Sequence, residues 1–146
     1  THDFFAMTRK YGVTRTQALR LASDEFVTKI DPSKVVTLLE TVSERKLPIM
    51  VFVGNRGIIQ IHTGEVNKVL WYNTWINVMD PDFNLHLDTE KIAEAWVVKK
   101  PTEDGLVHAV EVFNKDGEFI AQFFGKRKPG MPELQEWKDL VAELEK

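Results

Sequence analysis

The chain has 146 residues, of which 43% are hydrophobic and 28% are charged, and its formal net charge is -3. This length fits one domain that can bury a core, and the missing cysteines exclude disulfides and thiolate metal sites. The acidic balance argues against a protein that works mainly on nucleic acid, and no apolar run approaches the roughly 20 residues that a membrane-spanning helix needs.

Three helices are predicted in the first third of the chain. Residues 2–11 have a helical pattern. A capping box that begins at Thr14 starts the second helix, predicted over residues 15–26. Pro32, directly after an aspartate, is typical of a first helical turn, and it starts the third helix, predicted over residues 33–46.

After these helices the pattern changes to short apolar or alternating runs, which predict β-strands. The runs are IMVFVG, IIQIHTG, EVNKVLWYNTWINVMD, NLHLD, AEAWVVKK, LVHAVEVF and EFIAQFFG. The last two flank NKDG, whose Asp-Gly pair is a hairpin signal. Short turns between strands indicate antiparallel pairing, and the final segment, MPELQEWKDLVAELEK, has the amphipathic pattern of a helix.

The order of these elements predicts the fold class. Helices, then about seven or more strands joined by short turns, then one C-terminal helix are typical of an α+β fold with an antiparallel sheet. No linker, internal repeat or low-complexity tract divides the chain. We therefore expect a single domain over residues 1–146.

The spacing of reactive side chains identifies no catalytic or metal site by itself. The histidines are His2, His62, His86 and His108. No pair has the HExxH spacing of a zinc protease, and the GNRG segment lacks a phosphate-loop pattern and predicts a tight turn. Three of the histidines lie in strand patterns, where they would either meet at a metal or form ordinary hydrogen bonds in a sheet. The sequence has two basic clusters, KKP and GKRKPG. They would either bind a small anion or lie in solvent at the ends of two strands.

Several longer words of the sequence occur together in one known family. They are HDFF, VGNRGIIQIHTGEV, NVMDPDFNLHL, AWVVKKPTEDG and FFGKRKPG. In these words and their order, from His2 to the final helix, the chain resembles the bacterial cytoplasmic hemin-transport or hemin-degrading factors. Members of that family are about twice this length and consist of two related halves, and this chain resembles the C-terminal half.

The resemblance implies a binding site for heme b, iron protoporphyrin IX. His2 would be the axial iron ligand, since imidazole is a good ligand for heme iron. On a helix, Phe5 would share the face of His2 and lie against the porphyrin ring. The polar residues that the family places around the heme and its propionates carry over to Arg15, Lys100, Gln122 and Arg127. Each of these residues also fits an ordinary surface position, and the resemblance assigns no catalytic residue.

The chain departs from the family pattern at two points. Where one relative has a tyrosine two places after the glutamine, this chain has Phe124, which removes one hydroxyl donor. The distal arginine comes from the N-terminal half of the family proteins, and no position of this chain corresponds to it. Strand alternation also places Arg127 on the face opposite Gln122, unless the strand ends or bulges at Gly125.

Three functions follow from the resemblance. A heme carrier would hold heme in the cytoplasm after import and pass it to a heme oxygenase or another acceptor. A heme-degrading enzyme would open the ring with a reductant and release iron, and the lack of a flavin or nicotinamide fingerprint favours the carrier. A half-domain would need its partner half to bind heme. The exposed sheet face of one half also predicts a homodimer, and neither nucleic acid binding nor membrane insertion is expected.

Overall fold

The computed structural model describes Gly12 and residues 14–146, and the predicted α+β class is confirmed. The α-helices in this part of the chain are α1 (Arg15–Leu21), α2 (Ser33–Glu44) and α3 (Gln135–Leu144), and one short 3-10 helix lies at Thr89–Lys91. The helix predicted over residues 2–11 lies outside the described residues. None of the described helices has the length and apolar character that crossing a lipid bilayer requires.

The strands of the described residues form two antiparallel sheets. They are β1 (Val27–Ile30), β2 (Ile49–Gly54), β3 (Ile59–Gly64), β4 (Val69–Tyr72), β5 (Trp75–Met79), β6 (Asn84–Asp88), β7 (Glu94–Thr102), β8 (Gly105–Phe113) and β9 (Phe119–Gly125). The larger sheet has six strands in the order β1-β7-β8-β9-β2-β3, and the smaller has the order β4-β5-β6. Antiparallel pairing, which the short turns predicted, is confirmed at every strand pair of both sheets.

The first described helix begins as predicted but ends early. Thr14 Oγ1 accepts a hydrogen bond from the Gln17 amide at 3.2 Å, and the Thr14 amide donates to Gln17 Oε1 at 2.8 Å, which completes the capping box. The helix then ends at Leu21 instead of residue 26. Ser23 Oγ accepts from a nearby backbone amide, a local bond that competes with helix. Strand β1, which follows, was not predicted, because four residues carry too little periodicity.

One predicted strand is two strands in the structure. The run that includes residues 69–79 turns at Asn73, whose φ is +53°. Asparagine tolerates this left-handed conformation better than most residues. The turn separates β4 from β5, and this break, together with β1, raises the predicted seven strands to the nine described.

The two faces of the six-stranded sheet differ. One face packs against α2, α3 and the smaller sheet, and the sheet residues in this core include Ile49, Val51, Val97, Val110, Val112, Ala121 and Phe123. The alternate residues point to the opposite side, here called the second face. Helix α1 covers one end of it, where Leu19 packs with Trp96 and Phe113. The candidate site lies on the second face, beside α1.

Candidate functional site

Four polar side chains from four different elements meet on the second face. Arg15 comes from the first turn of α1, Lys100 from β7, Glu111 from β8 and Gln122 from β9. In the strand register Glu111 is directly opposite Gln122 on one side and Trp96 on the other. We call these four residues the Glu111 cluster. It contains three of the residues that the family resemblance predicted for the site.

The carboxylate of Glu111 is the centre of this cluster. Arg15 donates to it with two parallel hydrogen bonds, from Nε to Oε1 at 2.9 Å and from Nη2 to Oε2 at 2.7 Å. Gln122 Nε2 donates to Oε2 at 3.0 Å, and Lys100 Nζ lies 3.3 Å from the same oxygen. Bidentate arginine contacts of this kind are among the strongest that a carboxylate makes. The geometry therefore forms a well-defined carboxylate-binding site.

The cluster is buried and charged. The side chain of Glu111 is 1% exposed and that of Lys100 7%. Burial raises the pKa of Glu111, but the Lys100 charge and the charge and hydrogen bonds of Arg15 outweigh burial and hold this pKa below its usual value. Burial, with a smaller effect of Arg15, lowers the pKa of Lys100, while Glu111 opposes that shift. Two cationic side chains, Arg15 and Lys100, thus contact the one carboxylate of Glu111.

A small residue gives Lys100 access to Glu111. On the second face of β8, Ala109 precedes Glu111, and its register partners are Val98 on β7 and Phe124 on β9. The one-carbon side chain of Ala109 leaves room for the lysine to reach across β8. Its Nζ accordingly lies 5.2 Å from the centre of the Phe124 ring, a cation–π distance.

An apolar surface adjoins the cluster on the same face. Phe124 follows Gln122 by two residues, and Phe52 on β2 is the register partner of Gln122. The centres of these two rings are 5.2 Å apart. Ile61 on β3 is opposite Phe52 and is 52% exposed. The second face therefore combines carboxylate donors at one side with aromatic and aliphatic surface at the other.

Arg127 lies apart from the cluster. Its Nη1 donates to Asp104 Oδ2 at 3.0 Å and to the carbonyl oxygen of Met131 at 3.2 Å, and Asp104 belongs to the turn between β7 and β8. Strand β9 ends at Gly125. Strand alternation therefore does not hold Arg127 on the face opposite Gln122. The structure thus brings Arg127 to the hairpin turn and not to Glu111. His2 and Phe5, the predicted iron ligand and its neighbour, lie outside the described residues.

Glu111 itself was missed in the sequence. The signal was present in LVHAVEVF, because Val107, Ala109, Glu111 and Phe113 share one face of a strand. An acidic residue within such an apolar series predicts a buried carboxylate that needs cationic partners. Which cations meet it depends on α1 and β7, and that could not be derived from the strand alone.

The other histidines have separate contacts. His62 stacks on Phe83 with ring centres 3.8 Å apart, and His86 Nδ1 lies 2.7 Å from Asn77 Oδ1. His108 Nδ1 lies 2.6 Å from a carboxylate oxygen of Glu133. Within the described part of the chain, no group of three or more side chains of the metal-binding types is close enough to hold an ion.

Known proteins are similar to this chain in sequence and fold. The family model of the haemin-degrading HemS.ChuX domain matches residues 12–144. The chain is 41% identical over 143 residues to the hemin transport protein HmuS of Yersinia pestis, a match that covers 98% of this chain and 41% of HmuS.

Two solved structures are similarly close. Apo-PhuS, a heme-binding protein from Pseudomonas aeruginosa, is 51% identical with a TM-score of 0.95, over 99% of this chain and 42% of PhuS. ChuS, a heme oxygenase of E. coli, is 44% identical with a TM-score of 0.94, over 98% of this chain and 44% of ChuS. The chain thus spans about two fifths of the length of these relatives. The chain therefore belongs to the haemin-degrading HemS/ChuX family, whose model matches residues 12–144.

Proposed function

We propose that this chain binds heme on the second face, with a propionate at the Glu111 cluster and the porphyrin ring on the apolar surface beside it. One observation carries the proposal: a buried set of carboxylate donors directly adjoins an aromatic and aliphatic sheet surface. Heme has the matching chemistry, because it is a flat apolar ring with two carboxylates at one edge.

The donor set fits a propionate in type and geometry. Arg15, Lys100 and Gln122 already hold one carboxylate, that of Glu111, at distances between 2.7 and 3.3 Å. Two of these three donors, Arg15 and Lys100, are cationic and are therefore suited to an anionic ligand. Phe124 and Phe52 provide the ring contacts from adjacent strands. This arrangement supports heme better than a purely polar anion, which would leave the aromatic surface unused.

The remaining contacts are proposed from the family resemblance. His2 is the proposed iron ligand, since imidazole is a common axial ligand of heme, and Phe5 is its proposed apolar neighbour. Arg127, held at the β7–β8 turn by Asp104, is the proposed partner of the second propionate.

We propose a carrier as the cellular role. The chain would be one heme-utilisation domain over residues 1–146 that receives heme in the cytoplasm after import and passes it to a heme oxygenase or another acceptor. The name of HmuS, a hemin transport protein, supports this role. Heme degradation is the second candidate, and the likeness to ChuS, which is called a heme oxygenase, supports it.

A second copy of the chain, or the partner half of a longer protein, is the proposed partner. Several large apolar side chains of β3 to β5 and the turns beside them are exposed, and they are Ile58, Ile59, Ile61, Leu70, Trp71, Tyr72 and Trp75. Exposed apolar side chains of this size favour association. Light scattering at tens of micromolar tests the homodimer, which a monomer mass would contradict.

Titration with hemin tests the binding proposal. The wild-type chain should develop a Soret band that saturates, and His2→Ala should shift the band because the axial ligand changes. A wild-type chain that gives only the spectrum of free hemin would refute heme binding. Adding a reductant in air with catalase present separates the two roles, because a carrier keeps its Soret band and an enzyme converts the heme into a defined product.

A further inference from the structure

We propose that Glu133 is a positioning residue for Arg127, the proposed partner of the second propionate. Glu133 binds His108 on β8 and thereby holds the segment between β9 and α3, residues 126–134, in the shape that presents Arg127 to a ligand. The proposal rests on the proposed heme binding and goes beyond it, because it names a residue that acts on the ligand only through another side chain.

Glu133 is a buried carboxylate in a connecting segment, where it is 7% exposed. Its Oε2 accepts a hydrogen bond from the backbone amide of His108 at 2.6 Å, and its Oε1 lies 2.6 Å from His108 Nδ1. Trp137, in the first turn of α3, donates from Nε1 to the carbonyl oxygen of the same histidine at 3.0 Å. Two residues thus bind one residue of β8, and this end of the segment is fixed to the sheet.

The other end of the segment is also fixed. The amide of Lys126 donates to the carbonyl oxygen of Pro48 at 3.1 Å. Gly125, the last residue of β9, allows the Trp137 ring to approach the strand, because a Cβ at this position would lie 2.6 Å from a ring atom. The segment therefore leaves and rejoins the packed part of the fold at two defined places.

Arg127 contacts the part of the segment that lies beside Glu133. Residues 128–131 form a hydrogen-bonded turn, and Arg127 Nη1 donates to the carbonyl oxygen of Met131 at 3.2 Å. Only Pro132 separates Met131 from Glu133, and the proline ring restricts the backbone between them. The position of the carbonyl that holds Arg127 therefore depends on the anchor at Glu133.

The guanidinium of Arg127 is held by one nitrogen. Besides the Met131 contact, Nη1 donates to Asp104 Oδ2 at 3.0 Å, and the same oxygen accepts from the Gly130 amide at 3.1 Å. Within the described part of the chain, Nε and Nη2 of Arg127 make no hydrogen bond. This is the edge with which Arg15 binds a carboxylate through two parallel bonds, so it suits a ligand carboxylate. The segment thus presents a bidentate donor before the ligand arrives.

The test compares hemin with hemin dimethyl ester, which lacks ionisable carboxylates, and takes the ratio of their affinities. Arg127→Ala should lower this ratio about tenfold, because a charge-assisted contact is lost. Glu133→Ala should lower it about fivefold, because Arg127 is no longer held in place. The double variant should have the ratio of Arg127→Ala alone, since Glu133 acts only through Arg127.

Two further variants separate positioning from general stability. Glu133→Gln should keep the ratio within about twofold of wild type, because an amide can accept from the His108 amide and donate to Nδ1. Asp80→Ala is the matched control: Asp80 is 4% exposed and accepts from the amides of Asn67 and Lys68 at 2.9 and 2.8 Å, so it is a comparable buried anchor far along the chain from Arg127. It should destabilise the fold and leave the ratio at its wild-type value.

A wild-type ratio in Glu133→Ala or in Arg127→Ala would overturn the proposal while heme binding stands, and so would a further fall in the double variant. A wild-type chain that binds neither ligand would refute the proposed function instead. If Glu133→Ala does not fold, Pro132→Gly decides, because Pro132 is exposed and its replacement loosens the link to Met131 without removing the anchor. Its ratio should fall about threefold, and an unchanged ratio would overturn the proposal.

Discussion

The Arg15 guanidinium and the Glu111 carboxylate form two parallel hydrogen bonds across 96 positions of sequence. This pair fixes the first turn of α1 to a buried strand of the six-stranded sheet. The carboxylate is 1% exposed, so burying its charge would destabilise the fold without cationic partners. The contact therefore contributes both to the fold and to the proposed binding site.

Replacing Arg15 by alanine should destabilise the chain by about 3 kcal/mol, because it leaves a buried carboxylate short of a partner. Urea unfolding measures the change. Arg20→Ala is the control on the same helix: Arg20 also pairs with a glutamate, but its side chain is 53% exposed, and its loss should cost less than about 1 kcal/mol. Equal effects of the two variants would show that burial of the Arg15 pair adds no stability.

Lys100→Met should weaken hemin binding about tenfold, since it removes a cation that meets the propionate and keeps an apolar stem of similar length. The dimethyl ester of hemin should bind about as well as before. Lys99→Met serves as the control, because Lys99 lies next in sequence, is 26% exposed and pairs with Glu145 instead of Glu111. Fluorescence quenching by each ligand gives the affinities, and equal losses in both variants would contradict a specific role of Lys100.

Glu111 should make the chain sensitive to acid. Burial raises its pKa, but the Lys100 charge and Arg15 outweigh that effect, so the folded-state pKa lies below the ordinary value of 4.5. The group therefore stabilises the fold fully above about pH 4.5, and this contribution is lost as the pH falls through the lower folded pKa. Urea unfolding between pH 6 and pH 3, taken at about half-unit steps, should show a shallower decline for Glu111→Gln than for wild type. Glu143→Gln, which removes a half-exposed partner of Arg45, should keep the wild-type decline, and identical curves for all three proteins would refute the linkage.

The sequence predicted what depends on local chemistry. Thr14 and Gln17 form their capping box within one helical turn, and the antiparallel hairpin of β8 and β9 follows from its turn and its alternating pattern. The candidate site was harder to predict from the sequence. Arg15, Lys100 and Gln122 were predicted from the family resemblance. The role of Glu111, which contacts all three, could not be predicted, because it depends on the packing of four separate elements.

Phe124→Tyr should strengthen hemin binding by about threefold to tenfold, because it restores a hydroxyl donor that one relative has at this position and hydrogen bonds contribute on this scale. The ring lies beside Lys100, with Nζ 5.2 Å from its centre, so the added hydroxyl would lie at the edge of the carboxylate donors. Phe119→Tyr is the control, since Phe119 is on the same strand, is 37% exposed and packs on Phe113. Hemin titration monitored at the Soret band measures both variants. If Phe124→Tyr binds hemin no better than Phe119→Tyr does, the position does not contact the propionates, and the ring serves only as apolar surface for the porphyrin.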